Sequence, residues 1–177
     1  MGVFSKECLG VDIGVSSVKV VEVSRLFKKN KLLNYADFQL PVGISSTGVL
    51  WDKDFSLLSE GVSSILKNLL KRAKIKTRKV FFSLPDFSTF FTTFDLPPML
   101  PSKIPQAVSF EAKHHIPVAL SEVDFDWQVV KGIERASGKR RTKILLVAVP
   151  KKIIYQYQKL SMSVSYTHLT LPTICSV

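Results

Sequence analysis

Three apolar runs open the chain, residues 8–13, 17–24 and 31–40, dominated by Val, Ile, Leu and Phe and separated by polar turn residues. They predict three consecutive β-strands. The loop Phe27 to Asn30 between the second and third is basic, and Pro41 to Asp54 is a Gly-, Ser- and Pro-containing connector. Beyond it Phe55, Leu58, Val62, Ile65, Leu66, Leu69, Leu70 and Ala73 recur at helical spacing with Lys and Arg between them. That pattern predicts an amphipathic helix lying on a sheet, with Asp54 as its N-cap and a basic last turn where the helix dipole favours cations. Val80 to Leu84 then reads as a fourth strand, stopped by Pro85.

The second half has a different rhythm. Thr89 to Leu96 predicts a strand closed by Pro97-Pro98. Ser102 is expected to cap a helix that ends at Ile116, because a residue before proline is pushed out of helical geometry. Asp124 to Val130 and Lys143 to Val149 predict two paired strands joined by a long basic loop, which makes a β-α-β-β unit. Lys151 to Leu160 resumes a helical pattern with Ile154, Tyr157 and Leu160 on one side. From Val164 the chain reads Val-Ser-Tyr-Thr-His-Leu-Thr-Leu-Pro-Thr, without charge or clear period, and resembles the in-frame translation of a transposon-type sequencing adapter. The expected organisation is therefore 1–84, 85–150, a helix starting at 151–163, and a non-native tail 164–177 that adds nothing to folding. On that reading the chain is the front end of a longer gene.

Composition narrows the class. With 177 residues and 46% apolar content the chain can bury one core or two small ones. No apolar stretch is long enough to span a bilayer, and residues 1–8 lack a signal-peptide hydrophobic region, so a cytoplasmic location is expected. Gly2 follows the initiator Met, but Lys6 occupies the position where myristoylation requires Ser or Thr. Two cysteines, Cys8 and Cys175, exclude a disulfide framework, and Cys8 reads as a small core residue. His114-His115 has no Cys or acidic partner at a metal-ligand spacing and reads as a helix end. The formal charge of +11 is concentrated in Lys28, Lys29 and Lys31, in Lys67 to Lys79, and in Arg135 to Lys143. Such patches suit an anionic membrane surface or acidic partner segments, or are solvated faces. They lack the interleaved aromatics that nucleic-acid binding calls for, so no nucleic acid is expected.

The chemistry is concentrated in Leu9-Gly10-Val11-Asp12-Ile13-Gly14-Val15-Ser16-Ser17-Val18-Lys19-Val20-Val21-Glu22-Val23, two apolar strands joined by a polar turn. Asp12 ends the first strand, where a carboxylate can face a metal. Gly14, Ser16 and Ser17 offer backbone N–H groups to an anion, and Lys19 can reach the same anion as a point charge. An ordinary hairpin with a polar turn is the alternative. The arrangement resembles the first phosphate motif of the actin, Hsp70 and sugar-kinase superfamily. That resemblance implies ATP with Mg²⁺, the aspartate Asp12 holding the metal through water and Gly14, Ser16, Ser17 and Lys19 cradling phosphate.

A second block, Phe81-Phe82-Ser83-Leu84-Pro85-Asp86, Phe94-Asp95-Leu96-Pro97-Pro98-Met99, Phe110-Glu111-Ala112-Lys113, Ile116-Pro117 and Asp126-Trp127-Gln128-Val129, narrows it. In order and spacing these segments resemble the PilM family, actin-like cytoplasmic proteins of type IV pilus assembly related to the division protein FtsA. The resemblance implies an α/β fold, the first lobe of an actin-like, RNase H-like ATPase with a small FtsA/PilM-type insert. It also implies an adaptor at the inner membrane, docking on the cytoplasmic N-terminal peptide of PilN beside other proteins of the pilus inner-membrane complex, with peripheral membrane association through those partners. The alternatives are an FtsA-like division adaptor or a small-molecule kinase of the same superfamily. No residue is assignable to water activation. Most of Phe81, Phe82, Phe87, Phe90, Phe91, Phe94, Phe110 and Trp127 are expected in the core, with the remainder lining a peptide groove.

Overall fold

Alternation of large aliphatic residues with polar ones builds β1 (Lys6–Ile13), β2 (Ser17–Leu26) and β3 (Lys29–Gln39) into an antiparallel meander. The structure, a computed structural model, describes residues 6–26, 29–41, 50, 59–130, 141–164 and 168–170. The N-cap expected at Asp54, the connector after Pro41 and the basic loop before Arg141 lie outside them. The chain divides into two units: one takes the described residues up to Pro85 and those from Ile153 onward, the other runs Asp86–Lys152.

In the first unit, β4 (Lys79–Phe82) joins β1 in parallel and gives the order β3-β2-β1-β4-β8, with β8 being His168–Thr170. A parallel neighbour requires a crossover, and α1 (Ser59–Arg72) supplies it. One sheet face presents Leu9, Val11, Ile13, Val18, Val20, Val80 and Phe82, all buried. Against it lie the buried Val62 and Leu66 of α1 and Ile153, Tyr157 and Leu160 of α3 (Lys151–Ser163). The helices are tied to each other where the Ser63 and Ser163 hydroxyls meet at 2.8 Å. The other face carries Gly10, Asp12, Lys19 and Val21, and it bears the candidate site. Cys8 belongs to that second face and is only half-buried, so it is not the core residue expected, because register places it with Gly10 and Asp12.

The second unit is the expected β-α-β-β arrangement. β7 (Thr142–Pro150) lies between β5 (Phe90–Leu96) and β6 (Val123–Val130), antiparallel to both. α2 (Ile104–His115) covers one sheet face, and Val108, Ala112 and Ile116 pack with Phe94, Leu96, Ile144 and Leu146. The helix stops where expected, with Ile116 extended (φ −90°, ψ 123°) before Pro117. Its start differs. Ser102 lies inside a 3-10 turn, Pro101–Lys103, and the N-cap is Lys103 without a side-chain hydrogen bond. Pro105 lacks one of the N–H groups that a cap at Ser102 would reach, and the Ile104 N–H already donates to the Pro101 carbonyl, so no donor is left for a serine cap to satisfy. His115, expected to lack an acidic neighbour, sits 3.8 Å from the Glu111 carboxylate one turn earlier and stacks on Phe94 at 4.5 Å between ring centroids.

The tail also departs from expectation. Val164 is buried and closes α3 through its N–H to the Leu160 carbonyl at 3.2 Å. His168–Thr170 pairs in parallel with Lys79–Phe81. A strand edge with unpaired backbone groups accepts any extended β-prone segment within reach, whatever its origin.

Candidate functional site

Two local devices place β4 beside β1. α1 ends with the Lys74 N–H bonded to the Lys71 carbonyl (3.2 Å) and the Ile75 N–H to the Leu70 carbonyl (3.0 Å), with Lys74 at φ 54°. This is a Schellman end, in which a left-handed residue turns the chain off the helix. Three residues later Thr77 is clamped by Glu22, buried at 4% exposure on β2: its N–H donates to the carboxylate at 3.2 Å, and its hydroxyl donates as well. The Asn34 amide of β3 donates to the other carboxylate oxygen. Burial pushes the Glu22 pKa up, but the hydrogen bonds from Thr77, Asn34 and the backbone of Thr77 and Lys76 outweigh it and hold it below its ordinary 4.5. Residues 73–78 are thereby anchored, and β4 enters with Phe81 opposite Gly10.

That register carries Ser83 to the end of β1. Its N–H donates to the Val11 carbonyl at 2.9 Å, and its hydroxyl donates to Asp12 Oδ1. Lys19 lies directly across the β1–β2 ladder from Asp12, and Asp37 lies across from Lys19 on β3. Cross-strand partners share a face, so Ser83, Asp12, Lys19 and Asp37 form one polar row across four strands. Beneath it runs an apolar row of Phe81, Gly10, Val21 and Tyr35. A cavity of about 560 Å³ opens between these rows, lined by Gly10, Asp12, Lys19, Val21, Phe81 and Ser83. Gly10 keeps it open, because a Cβ there would meet Val21 Cγ1 at 3.1 Å.

The sequence-predicted residues are thus partly assembled. Asp12 and Lys19 share the cavity wall, and Ser16 and Ser17 sit at the adjoining turn. Gly14 differs from expectation: its N–H donates to the Ser17 carbonyl at 2.8 Å and closes the hairpin, so it is not open to an anion. A tight turn satisfies its own first donor before any ligand arrives. The Ser16 carbonyl accepts from the Leu40 N–H at 2.9 Å and ties the turn to the residue that follows β3. Ser83 was missing from the predicted set. The available signal was topological, since a strand parallel to β1 delivers the residue after its end beside the residue ending β1.

Among the described residues no group of three or more His, Cys, Asp or Glu could hold a metal. One carboxylate with a neighbouring hydroxyl does not suit a protein-only metal cage. It suits Mg²⁺, which keeps several waters and takes one or two carboxylates together with substrate phosphate.

The expectation for the aromatics divides. Phe82 and Phe94 are buried, while Phe90 and Trp127 pack partly buried against the second core. Phe87, Phe91 and Phe110 are exposed. Phe91 lies on the face of the three-stranded sheet opposite to the Phe94 side, beside Val147, whereas Phe110 stands exposed on α2, edge-on to His114. These two rings do not line one groove.

The sequence profile of the type IV pilus assembly protein PilM family matches residues 10–165. Among solved structures, the PilM–PilN type IV pilus biogenesis complex aligns over 94% of this chain and 47% of that one, at 20% identity and a TM-score of 0.71. The cytoplasmic domain of EpsL, an inner-membrane component of the Vibrio cholerae type II secretion system, aligns over 94% and 57%, at 13% identity and a TM-score of 0.53. At these identities the structures establish the fold, the actin-like architecture expected, and the chain spans about half the length of each. The match favours pilus assembly over the FtsA-like and kinase alternatives. The chain belongs to the PilM family of type IV pilus assembly proteins.

Proposed function

We propose that this chain forms the nucleotide-facing lobe of a cytoplasmic adaptor in type IV pilus assembly, carrying both a phosphate site and a peptide-docking insert. The observation that supports the phosphate site is the Ser83–Asp12–Lys19 row at the strand ends beside the cavity. There Asp12 would hold the waters of Mg²⁺ while Lys19 and the Ser16–Ser17 turn meet phosphate oxygens. ATP with Mg²⁺ would supply a charged, removable ligand that orders the hairpin. Ser83 fixes the Asp12 rotamer, so the carboxylate is oriented for a ligand. The base-binding half is not formed by these residues. In the complete protein, Asp12→Ala should abolish binding of a fluorescent ATP analogue, and unchanged affinity would overturn the assignment.

The partner in the adaptor reading is the cytoplasmic N-terminal peptide of PilN. The PilM–PilN complex supports it, as does an insert whose exposed Phe91 offers a rigid anchor for an extended apolar segment. The exposed basic run from Lys67 to Lys79 would speed encounter with acidic partner segments or an anionic membrane surface without setting affinity. Among the described residues no helix is long and apolar enough to cross a membrane; in the adaptor reading, attachment at the inner membrane would come through partners. Titrating the peptide against the complete protein tests this: Phe91→Ala should weaken binding at least tenfold and Phe110→Ala should not, and the reverse order would move the docking surface to α2.

A further inference from the structure

The sheet of the first unit has two ends of opposite character. Asp12, Asp37 and Ser83 stand at one, where β1, β3 and β4 finish. At the other, where those three strands begin, Arg25, Lys29 and Lys31 are exposed. The chain reaches that end from α1 through Lys71-Arg72-Ala73-Lys74-Ile75-Lys76-Thr77-Arg78-Lys79, in which every Lys and Arg is exposed and no residue is acidic. Ala73 and Ile75 are half-buried and Thr77 is buried on Glu22, so the cations alone point outward. None of these cations forms an ion pair with another described residue. Among the described residues Glu7 is the one exposed carboxylate on the strands at this end, because Glu22 is buried and holds its own three donors. Each strand residue advances about 3.3 Å, so the eight residues of β1 part the two ends by about 25 Å. That is several times the Debye length of about 8 Å at physiological salt, so the basic end does not serve the candidate phosphate site and calls for a counter-charge of its own.

We propose that this basic end lies on the anionic headgroups of a phospholipid surface, which sets the ligand end of the same sheet away from the membrane. Toward a peptide, surface cations alter the rate of encounter more than the affinity. Toward a lipid layer each cation near the surface meets a counter-charge and contributes separately, raising partitioning about fivefold. A layer of laterally mobile headgroups needs no fixed register, which matches cations carried on long side chains by strand ends, a helix end and a loop. The run from Lys71 to Lys79 holds no exposed apolar anchor for an extended peptide and no aromatic ring for a nucleic-acid base. The functional meaning of the contact rests on the adaptor reading: partners bring the protein to the inner membrane, and the basic end orients it there.

The test uses the 177-residue chain with neither nucleotide nor peptide. Sedimentation with vesicles of phosphatidylethanolamine and phosphatidylglycerol should carry the protein down, and vesicles of phosphatidylcholine should not. The triple variant Lys71→Gln, Lys74→Gln, Lys76→Gln should partition on the order of 100-fold less. The triple variant Lys113→Gln, Lys151→Gln, Lys152→Gln removes equal charge from exposed positions elsewhere and should lose less than about fivefold. Lysine acetylation read by mass spectrometry gives the orientation: vesicles should protect Lys71, Lys74 and Lys76 about tenfold and leave Lys19, at the other end, reactive. Salt at about 0.5 M, with a screening length of about 4 Å, should release the protein. Absence of partitioning overturns the proposal, as do equal binding to phosphatidylcholine, equal loss in the two triple variants, and equal protection of Lys19. Capture by an oligoglutamate peptide or a single-stranded RNA without partitioning onto vesicles also overturns it and assigns the end to an acidic protein or a nucleic acid. Because no arm contains the PilN peptide or ATP, failure here is distinct from failure of either binding experiment above.

Discussion

Replacing Glu22 by alanine should be among the most damaging single changes in the first unit, although Glu22 lies outside the cavity. Its carboxylate accepts from the Thr77 N–H, the Thr77 hydroxyl and the Asn34 amide, and it is 4% exposed. Truncation strands all three donors. At about 1 kcal/mol or slightly more per stranded donor, allowing for partial rehydration, the loss is about 3–4 kcal/mol. That is a large part of the 5–15 kcal/mol typical of a whole domain, and it corresponds to a fall in Tm of roughly 6–16 °C for a chain of this length. Urea unfolding at pH 7 should show a lower midpoint with an unchanged m-value. The pH dependence follows from the sign of the shift. A carboxyl whose folded pKa lies below its ordinary 4.5 contributes stability that is complete above that value and is lost as pH falls through the folded pKa. The gap between wild type and Glu22→Ala should therefore narrow at pH 3. A loss under about 1 kcal/mol at pH 7, or an equal gap at both pH values, would refute the clamp as the source of stability.

Other outcomes are open to direct measurement. Lys74 holds φ 54° at the end of α1, a conformation costing a non-glycine residue about 1 kcal/mol, so Lys74→Gly should raise the urea midpoint by the equivalent of about 0.5–1 kcal/mol; a fall would show that the Lys74 side chain matters more than its backbone. Gly10→Ala should be folded but should shrink the cavity, because the new methyl meets Val21 Cγ1 at 3.1 Å; an unaltered cavity in a crystal structure of the variant would show that Val21 yields freely. Truncation after Val164 removes the strand that pairs with Lys79–Phe81 and opens the β4 edge. Tm should fall by only a few degrees, since three paired residues gain little beyond their ordering entropy, but the shortened chain should self-associate in sedimentation experiments. A monodisperse monomer would show that the edge is covered by other means.

Much of the architecture was legible because it depends on period. The alternation in residues 8–24 set which side chains face the helices, and the spacing of Val62, Leu66, Leu69 and Leu70 set the buried face of α1. Asp12 and Lys19 could be placed on one face because a two-stranded register needs only a turn length. What escaped depends on contacts between segments far apart in sequence. Ser83 reaches Asp12 across 71 positions and Thr77 reaches Glu22 across 55. Neither pair has a local pattern, because the parallel β1–β4 register that creates both is set by the length of the crossover and by its anchoring at Thr77. Ser102 failed as a cap for a local reason, the prolines flanking it, which outweighed a general preference.

The same geometry explains why Glu22 and Asp12, only ten positions apart on adjacent strands, have opposite fates. β1 and β2 are antiparallel, and Glu22 pairs with Leu9, on the helix-covered face, while Asp12 pairs with Lys19 on the open one. Glu22 is therefore desolvated and survives as an anion only because three donors from β3 and the α1–β4 loop converge on it. Asp12 remains exposed, with one hydroxyl donor and one cation opposite, and keeps lone pairs for a ligand. The buried carboxylate sets where β4 lies, and β4 sets where Ser83 meets the exposed one. Loss of Glu22 should accordingly disturb the proposed phosphate site from the opposite face of the sheet. In the complete protein at a temperature where Glu22→Gln remains folded, nucleotide-analogue affinity should fall several-fold even though Glu22 touches no part of the cavity. Unchanged affinity in that variant would mean that β4 finds its register without the clamp.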